Sequence, residues 1–419
     1  MKAMEKRESG SAGEYPGAAG MKGWQSKQLG ELCRFIDYRG KTPEKTSSGL
    51  RLITAKNVKM GYLQETPMEF VAPGSYERWM TRGIPKMGDV LFTTEAPLAN
   101  VAQLDTAEKV VFAQRIIVLQ PLENILDRTF LKYLLLSDIA QKRILEHGTG
   151  ATVQGIKASL LKTIPIEFPS LFEQQRIVGL LDEAFEGLAT AKANAEKNLQ
   201  NARALFESYL QSVFSQRGPG WVETTLSRAT GGIYTGPFGS LLHKSDYVEN
   251  GIPLVNPAHI TEVGIEPDMR KTVSQSTALR LKNYIMREGD IVIGRRGEMG
   301  RCAVVTDAED GWLCGTGSFF IKPSSQCDTR YLVRFLRSES CKARLEKIAG
   351  GAVMPNLSNT DLGNLTFYLP PLDRQKAIVE EIDQLHEETQ RLACLYEQKL
   401  AALEELKKSL LHQAFSGEL

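Results

Sequence analysis

LFEQQRIVGLLDEAFEGLATAKANAEKNLQNARALFESYLQSVFSQ, residues Leu171–Gln216, decides the fold. Apolar residues recur mostly at steps of three and four: Ile177, Leu181, Ala184, Leu188, Ala191, Ala195, Ala202, Phe206, Tyr209 and Val213. No proline interrupts the stretch after Pro169, and its only glycines are Gly179 and Gly187. The spacing predicts one long coiled-coil-like helix whose apolar stripe needs a partner. Leu372–Leu419 supplies it, with a seam of Ile378, Ile382, Leu385, Leu392, Leu403, Leu406 and Leu410. The two stretches are copies at a constant offset of 201: Leu171 with Leu372, Gln174 with Gln375, Ile177 with Ile378, Asp182 with Asp383, Phe214 with Phe415.

The segments before each helix repeat as well. GDVLFTTEAPLANVA (Gly88–Ala102) aligns with GDIVIGRRGEMGRCA (Gly289–Ala303), and GTGATVQGIKASLLKTIPIEFPSL (Gly148–Leu171) with AGGAVMPNLSNTDLGNLTFYLPPL (Ala349–Leu372), again at 201. GWQSKQL at Gly23 echoes GWVETTL at Gly220. The chain therefore reads globule–helix–globule–helix, a tandem duplication of about 200 residues. Short β-like runs (Leu52–Thr54, Asp89–Thr93, Val110–Leu119) and a helix near Thr129–Glu146 make each globule α/β-mixed. The expected fold class is α+β: two similar globular domains separated by two long antiparallel coiled-coil-like helices, a pseudo-two-fold tandem repeat. Expected boundaries are a leader at 1–20, a first globule at 21–170, a central helix at 171–217, a second globule at 218–371 and a distal helix at 372–419. The leader lacks an apolar core and reads as disordered, with Met21 as the natural start. A helix of about 40 residues is about 60 Å long, which makes the pair a spacer. Two similar heads on a spacer suit a bipartite target such as DNA.

Composition narrows the function. Net charge is +1, but the helical stretches carry −2 and −4, which leaves +7 for the rest. No apolar run is long enough to span a bilayer. The six cysteines show no CxxC spacing, as expected of free thiols in a reducing cytoplasm, with no metal. No catalytic signature stands out. Gly40, Lys41 and Thr42 spell GKT, but Phe35 sits where a P-loop needs glycine. The tetrapeptide Leu369–Leu372 is LPPL, not the loop of an amino-methyltransferase. HExxH, GxSxG and the zinc-deaminase pattern are absent. The five histidines are scattered as surface or core residues.

The globules do carry polar loops suited to base edges and phosphates. In the first globule the candidates are Arg39, Lys41, Lys56, Asn57, Thr93, Thr94, Gln114, Arg115, Gln154 and Lys157. In the second they are Phe238, Ser240, His243, Lys244, Asn256, His259, Arg295, Arg296, Thr316, Ser318, Asn356 and Ser358. Singly these also fit ordinary turns. Matched positions filled by different residues are what two heads reading different half-sites need.

In GPFGSLLHKSDYVENGIPLVNPAHI (Gly236–Ile260), GDIVIGRRGEMGRCAVV (Gly289–Val305), GTGSFFIKP (Gly315–Pro323), TGATVQGIKASLLKTIPIEFPSLFEQQRIV (Thr149–Val178) and LPPLDRQKAIV (Leu369–Val379), the chain resembles the specificity subunit of type I restriction–modification systems. The resemblance runs from Met21 onward. It implies two target-recognition domains, each reading half of an interrupted double-stranded DNA site. It implies two methyltransferase subunits, joined by restriction (motor–nuclease) subunits. S-adenosylmethionine, ATP and magnesium are then expected on those partners, and no cofactor on this chain. Leu180, Phe185, Leu199, Leu395, Tyr396 and Leu411 are candidates for docking partner helices; they equally suit a thickened helix–helix core. A coiled-coil scaffold, or a DNA-binding protein without restriction partners, is the alternative.

Overall fold

The computed structural model describes residues 23–38, 42–113, 115–149, 154–349 and 356–419. The leader, Arg39, Lys41 and Gln114 lie outside them. The chain divides into two compact units, Met1–Ala195 with Gln398–Leu419, and Glu196–Glu397. Packing thus divides the chain within the long helices, because each globule rests on the helix halves beside it.

In the first unit a four-stranded antiparallel sheet runs in the order Cys33–Asp37, Ile116–Pro121, Val90–Thr94, Leu98–Gln103. Successive side chains of a strand face opposite sides. Val90, Phe92, Val101, Ile117 and Leu119 enter one core, shared with the helices Arg128–Leu136 and Asp138–Glu146 and with the long helices. Leu91, Ala102, Ile116 and Val118 enter a second core, under a three-stranded sheet of Glu69–Val71, Leu50–Ile53 and Val111–Phe112. Both faces of the central sheet are therefore buried, at about 1.5–3 kcal/mol for each large apolar side chain removed from water.

The second unit repeats this. Its sheet runs Thr230–Thr235, Ser318–Pro323, Ile291–Gly294, Cys302–Val304. Ile291, Ile293, Phe319 and Ile321 face the helical core; Val292, Ala303 and Phe320 face the other. The parallel pairing Leu52↔Val111 returns as Leu254↔Leu313.

The long helices span Leu171–Ser215 and Leu372–Ser416, 45 residues each. Pro169, and Pro370 with Pro371, stop the preceding strands. Gly417 ends the second helix at φ +85°, and the Glu418 N–H donates to the Gln413 carbonyl at 3.0 Å, a Schellman closure. Within each unit the start of one helix packs antiparallel to the end of the other. In the first, Ile177 and Leu181 share a core with Leu411, Ala414 and Phe415, and Lys192 pairs with Glu404 at 2.6 Å. In the second, Leu210 and Val213 share a core with Ile378, Val379 and Ile382, and Arg203 pairs with Glu397 at 2.8 Å.

Three expectations change. Leu392 and Leu406 are exposed at 40% and 47%, while Thr389 and Ala393 are buried. The seam advances in steps of three and four from Ile382 through His386, so a residue seven beyond Leu385 falls off it. The helix expected over Thr129–Glu146 is two, split at Ser137, whose hydroxyl accepts the Ala140 N–H at 3.3 Å and starts a new helix. The strand expected over Val110–Leu119 is interrupted at Arg115, which sits at φ +82°.

A buried glutamine ties each long helix to its globule. Gln174 Oε1 accepts the Asp127 N–H at 2.8 Å, and Nε2 donates to the carbonyls of Ile125 and Pro169, both at 2.9 Å. Gln375 does the same 201 residues on: it accepts from Asp328 N–H at 2.7 Å and donates to the Gln326 and Pro370 carbonyls, both at 2.8 Å. Asp127 and Asp328 in turn cap the helices packed on the sheets. The first turn of the long helix, the cap and the strand exit are thereby fixed together.

Candidate nucleic-acid interface

At one end of each central sheet three backbone segments meet, and the same hydrogen bonds hold them in both units. In the first, the Thr94 N–H donates to the Arg115 carbonyl and the Ile156 N–H to the Thr94 carbonyl, each at 2.9 Å; Glu95 is bridged to Gly155. In the second, the Arg295 N–H donates to the Gly317 carbonyl and the Leu357 N–H to the Arg295 carbonyl, each at 2.9 Å; Arg296 is bridged to Asn356. One scaffold carries two sets of side chains.

The first set is charge-balanced. Arg115 Nε lies 3.0 Å from Glu95 Oε1; Arg115 is exposed, Glu95 is half-buried, and both side chains reach solvent. Arg115 stands in the left-handed region, as do Ala96 (φ +48°) in the neighbouring turn and Ala99 (φ +66°) at the start of the strand that follows. For residues with a Cβ this is strained backbone, which the surrounding structure must hold in place. Gln154 and Lys157 are exposed beside the Glu95–Gly155 bridge. The turn bearing Lys56 joins the same end, because Asn100 Nδ2 donates to the Val58 carbonyl at 2.8 Å while the Asn100 N–H donates to Thr93 Oγ1 at 2.9 Å.

The second set is cationic. Asn356 Oδ1 accepts from Arg295 Nε at 3.2 Å and from Arg296 Nε at 3.3 Å. The Arg295 guanidinium lies 5.3 Å from the centre of the Phe319 ring. Burial, and then the neighbouring charge of Arg296, push the Arg295 guanidinium below its ordinary value. Thr316 lies half-buried in the adjoining Gly315–Gly317 turn, against which Asn256 packs. A Cβ on Gly236 would sit 2.0 Å from the Gly315 carbonyl oxygen, and one on Gly315 would sit 2.3 Å from Asn256 Oδ1. These close approaches require glycine, and the loop they seat presents Phe238 at 60% exposure. Ser240, His243 and Lys244 are exposed on the loop that follows, which Arg280 fastens through the Leu241 carbonyl and Asp246, both at 2.8 Å.

Several candidates turn out to be scaffold. Asn57 is buried: its Oδ1 accepts from Thr54 N and Oγ1, and its Nδ2 donates to the Gln64 and Pro67 carbonyls. Thr93 is buried and donates to the Pro97 carbonyl at 2.7 Å; Thr94 is buried and donates to the Arg115 carbonyl at 3.3 Å. Ser318 is fully buried. Ser358 caps the helix Asn359–Gly363 by accepting the Asp361 N–H at 3.0 Å. His259 Nδ1 lies 2.9 Å from the Leu254 carbonyl, holding its own turn. Apart from the Ser318 hydroxyl, which is buried with no hydrogen-bond partner among the described residues, their polar groups are spent on the local backbone. Glu95 is the counter-charge of Arg115; Phe319, the ring under Arg295, is the addition, and the FF of GTGSFF was the available signal for it.

The candidate docking positions also divide. Leu180 and Leu395 are exposed. Leu411 is buried in the first unit's core, and Phe185 packs edge-on against Tyr133 at 5.3 Å, so both serve that unit. Leu199 and Tyr396 are half-buried along the seam. No helix among the described residues is long and apolar enough to cross a membrane.

Comparison with known proteins gives the same architecture. Among curated relatives, the type I restriction enzyme MjaVIII specificity subunit of Methanocaldococcus jannaschii is 22% identical, covering 94% of this chain and 93% of its own length. The StySPI specificity subunit of Salmonella potsdam is 22% identical, covering 95% and 89%. In fold, a chain solved in work on complex assembly and conformational transition of a type I R-M system superposes with a TM-score of 0.71 at 22% identity, over 95% of this chain and 99% of that one. The HsdS subunit of Thermoanaerobacter tengcongensis gives 0.63 at 22% identity, over 95% and 98%. The family described as type I restriction modification DNA specificity domain matches residues 21–199 and 239–404, and the chain belongs to that family.

Proposed function

We propose that this DNA specificity subunit reads an interrupted duplex site, one half with each unit, and performs no chemistry itself. The observation that carries the reading is the pair of sheet ends: one backbone scaffold, built twice, with Glu95 and Arg115 on one copy and Arg295, Arg296 and Asn356 on the other. A scaffold repeated for stability alone would have no need to differ there. Guanidinium and amide groups on rigid loops suit base edges, and Lys56, Lys157 and Lys244 suit phosphates.

Specificity subunits of type I systems work with DNA and with methyltransferase and restriction subunits. In the finer reading, two methyltransferase subunits dock on the long helices, with Leu180 and Leu395 among the exposed apolar positions offered to them. S-adenosylmethionine, ATP and magnesium belong to those partners, and the assembly works in the cytoplasm. The long helices set the unread gap.

Competition binding tests the function. The full chain, assembled with its methyltransferase, should hold one duplex against excess unrelated DNA at physiological salt, because phosphate contacts weaken steeply with salt while base contacts persist. Loss of all binding to competitor would leave only non-specific attraction and refute the reading.

A further inference from the structure

The two arginines at the second unit's sheet end are held by an unusual economy of donors. Each gives only its Nε–H to the protein, both to Asn356 Oδ1. Their terminal Nη donors have no partner among the described residues, and neither guanidinium is ion-paired there. Arg337, in the same unit, shows what a structural arginine looks like: its Nε and both Nη atoms go to the carbonyls of Thr261, Glu262 and Cys302.

The pair also differs within itself. Arg295 is half-buried, lies over the Phe319 ring and is fastened at Nε, so the plane of its fork is fixed. Arg296 is exposed and has no ring beneath it among the described residues. A planar fork with two free parallel donors matches the O6 and N7 acceptors of guanine in the major groove. An exposed guanidinium matches a phosphate, whose position carries no sequence information. The like charges of Arg295 and Arg296, side by side, disfavour the empty site and favour an electron-rich ligand.

We propose that Arg295 is a specificity-determining residue that reads a guanine in the half-site of the second unit, through its two terminal N–H groups to O6 and N7, and that Arg296 contacts a neighbouring phosphate. The proposal rests on the DNA-reading function above. It applies to one half only, since Thr94 and Glu95 occupy the equivalent positions in the first unit and Arg115 there is paired with Glu95.

The experiment is selection from a duplex pool randomised across the site, using the full chain with its methyltransferase. Wild type is compared with Arg295→Ala, Arg295→Lys and Arg296→Ala. Wild type should require guanine at one position that both Arg295 variants release, with preference there falling roughly 10- to 100-fold and the other half-site unchanged. Arg295→Lys keeps the charge but not the fork, so it carries the test if Arg295→Ala does not fold. Arg296→Ala should keep every base preference and reduce the slope of log affinity against log salt by about one. The proposal is overturned if no guanine requirement is released by either Arg295 variant, or if both half-sites weaken equally. A wild-type chain that enriches no interrupted site would instead sink the DNA-reading function itself.

Discussion

The two sheet ends are the same in backbone and different in charge, one neutralised and the other cationic. Thr94, Arg115 and Ile156 make the hydrogen bonds that Arg295, Gly317 and Leu357 make in the second unit. Upon that frame the first unit sets a neutralised Arg115–Glu95 pair, with strain in the backbone that carries it. The second sets two uncompensated guanidiniums on relaxed, glycine-rich loops. Duplication has kept what holds the loops together and changed what the loops display. The comparison separates residues that build a reading head from residues that read.

The largest expected effects fall on the shared frame. Replacing Gln174 or Gln375 with Leu leaves a buried N–H and two carbonyls without partners, which should cost about 2–4 kcal/mol, read as a fall in melting temperature or denaturant midpoint. Because the two latches are the same, the two costs should agree within about 1 kcal/mol. A large cost on one side only would show that the halves are not equivalent in construction.

Changes to the display come next. Glu95→Arg would give the first unit the charge character of the second. Stability should change by less than about 1 kcal/mol, since the pair it breaks is exposed. The salt dependence of DNA binding should steepen by roughly one in slope, and only the first half-site should change. Altered preference at both half-sites would break the division of labour between the units.

The smallest effect is on pH. Glu381 in the second unit is held below the usual carboxylate range first by Arg374 and then by Tyr209, and Glu404 in the first unit first by Lys192. A lowered folded-state value contributes stability above the ordinary carboxylate range and loses it as pH falls through the folded value. Both groups are largely exposed, so screening leaves each contribution under about 1 kcal/mol. Glu381→Gln and Glu404→Gln should each flatten the acid side of the stability profile slightly. A loss of stability at neutral pH beyond about 1 kcal/mol would mean the pairs are better shielded than their exposure shows.

The helices and the repeat were legible because they rest on periodicity and on a constant offset, signals that average over many residues. Single positions were less so. Leu392 fits a seven-residue step yet faces outward, because the seam is carried by the smaller Thr389 and Ala393. Ser137 reads as one more residue of a helix until its hydroxyl is seen starting another. The loop candidates failed for one reason. Asn57, Thr93, Thr94 and Ser318 have the right chemistry for a ligand, but burial turns it inward, and residue type does not reveal whether a donor is already used. Arg295 and Arg296 were legible as cationic; that one amide holds both by Nε, and that Phe319 underlies one, needed coordinates.

The most direct measurement is the base preference of the wild-type chain with its methyltransferase, selected from duplexes randomised over about two helical turns. Two half-sites of different sequence, separated by an unread gap of fixed length, are the predicted result. A continuous site, two identical half-sites, or a gap of variable length would contradict the account.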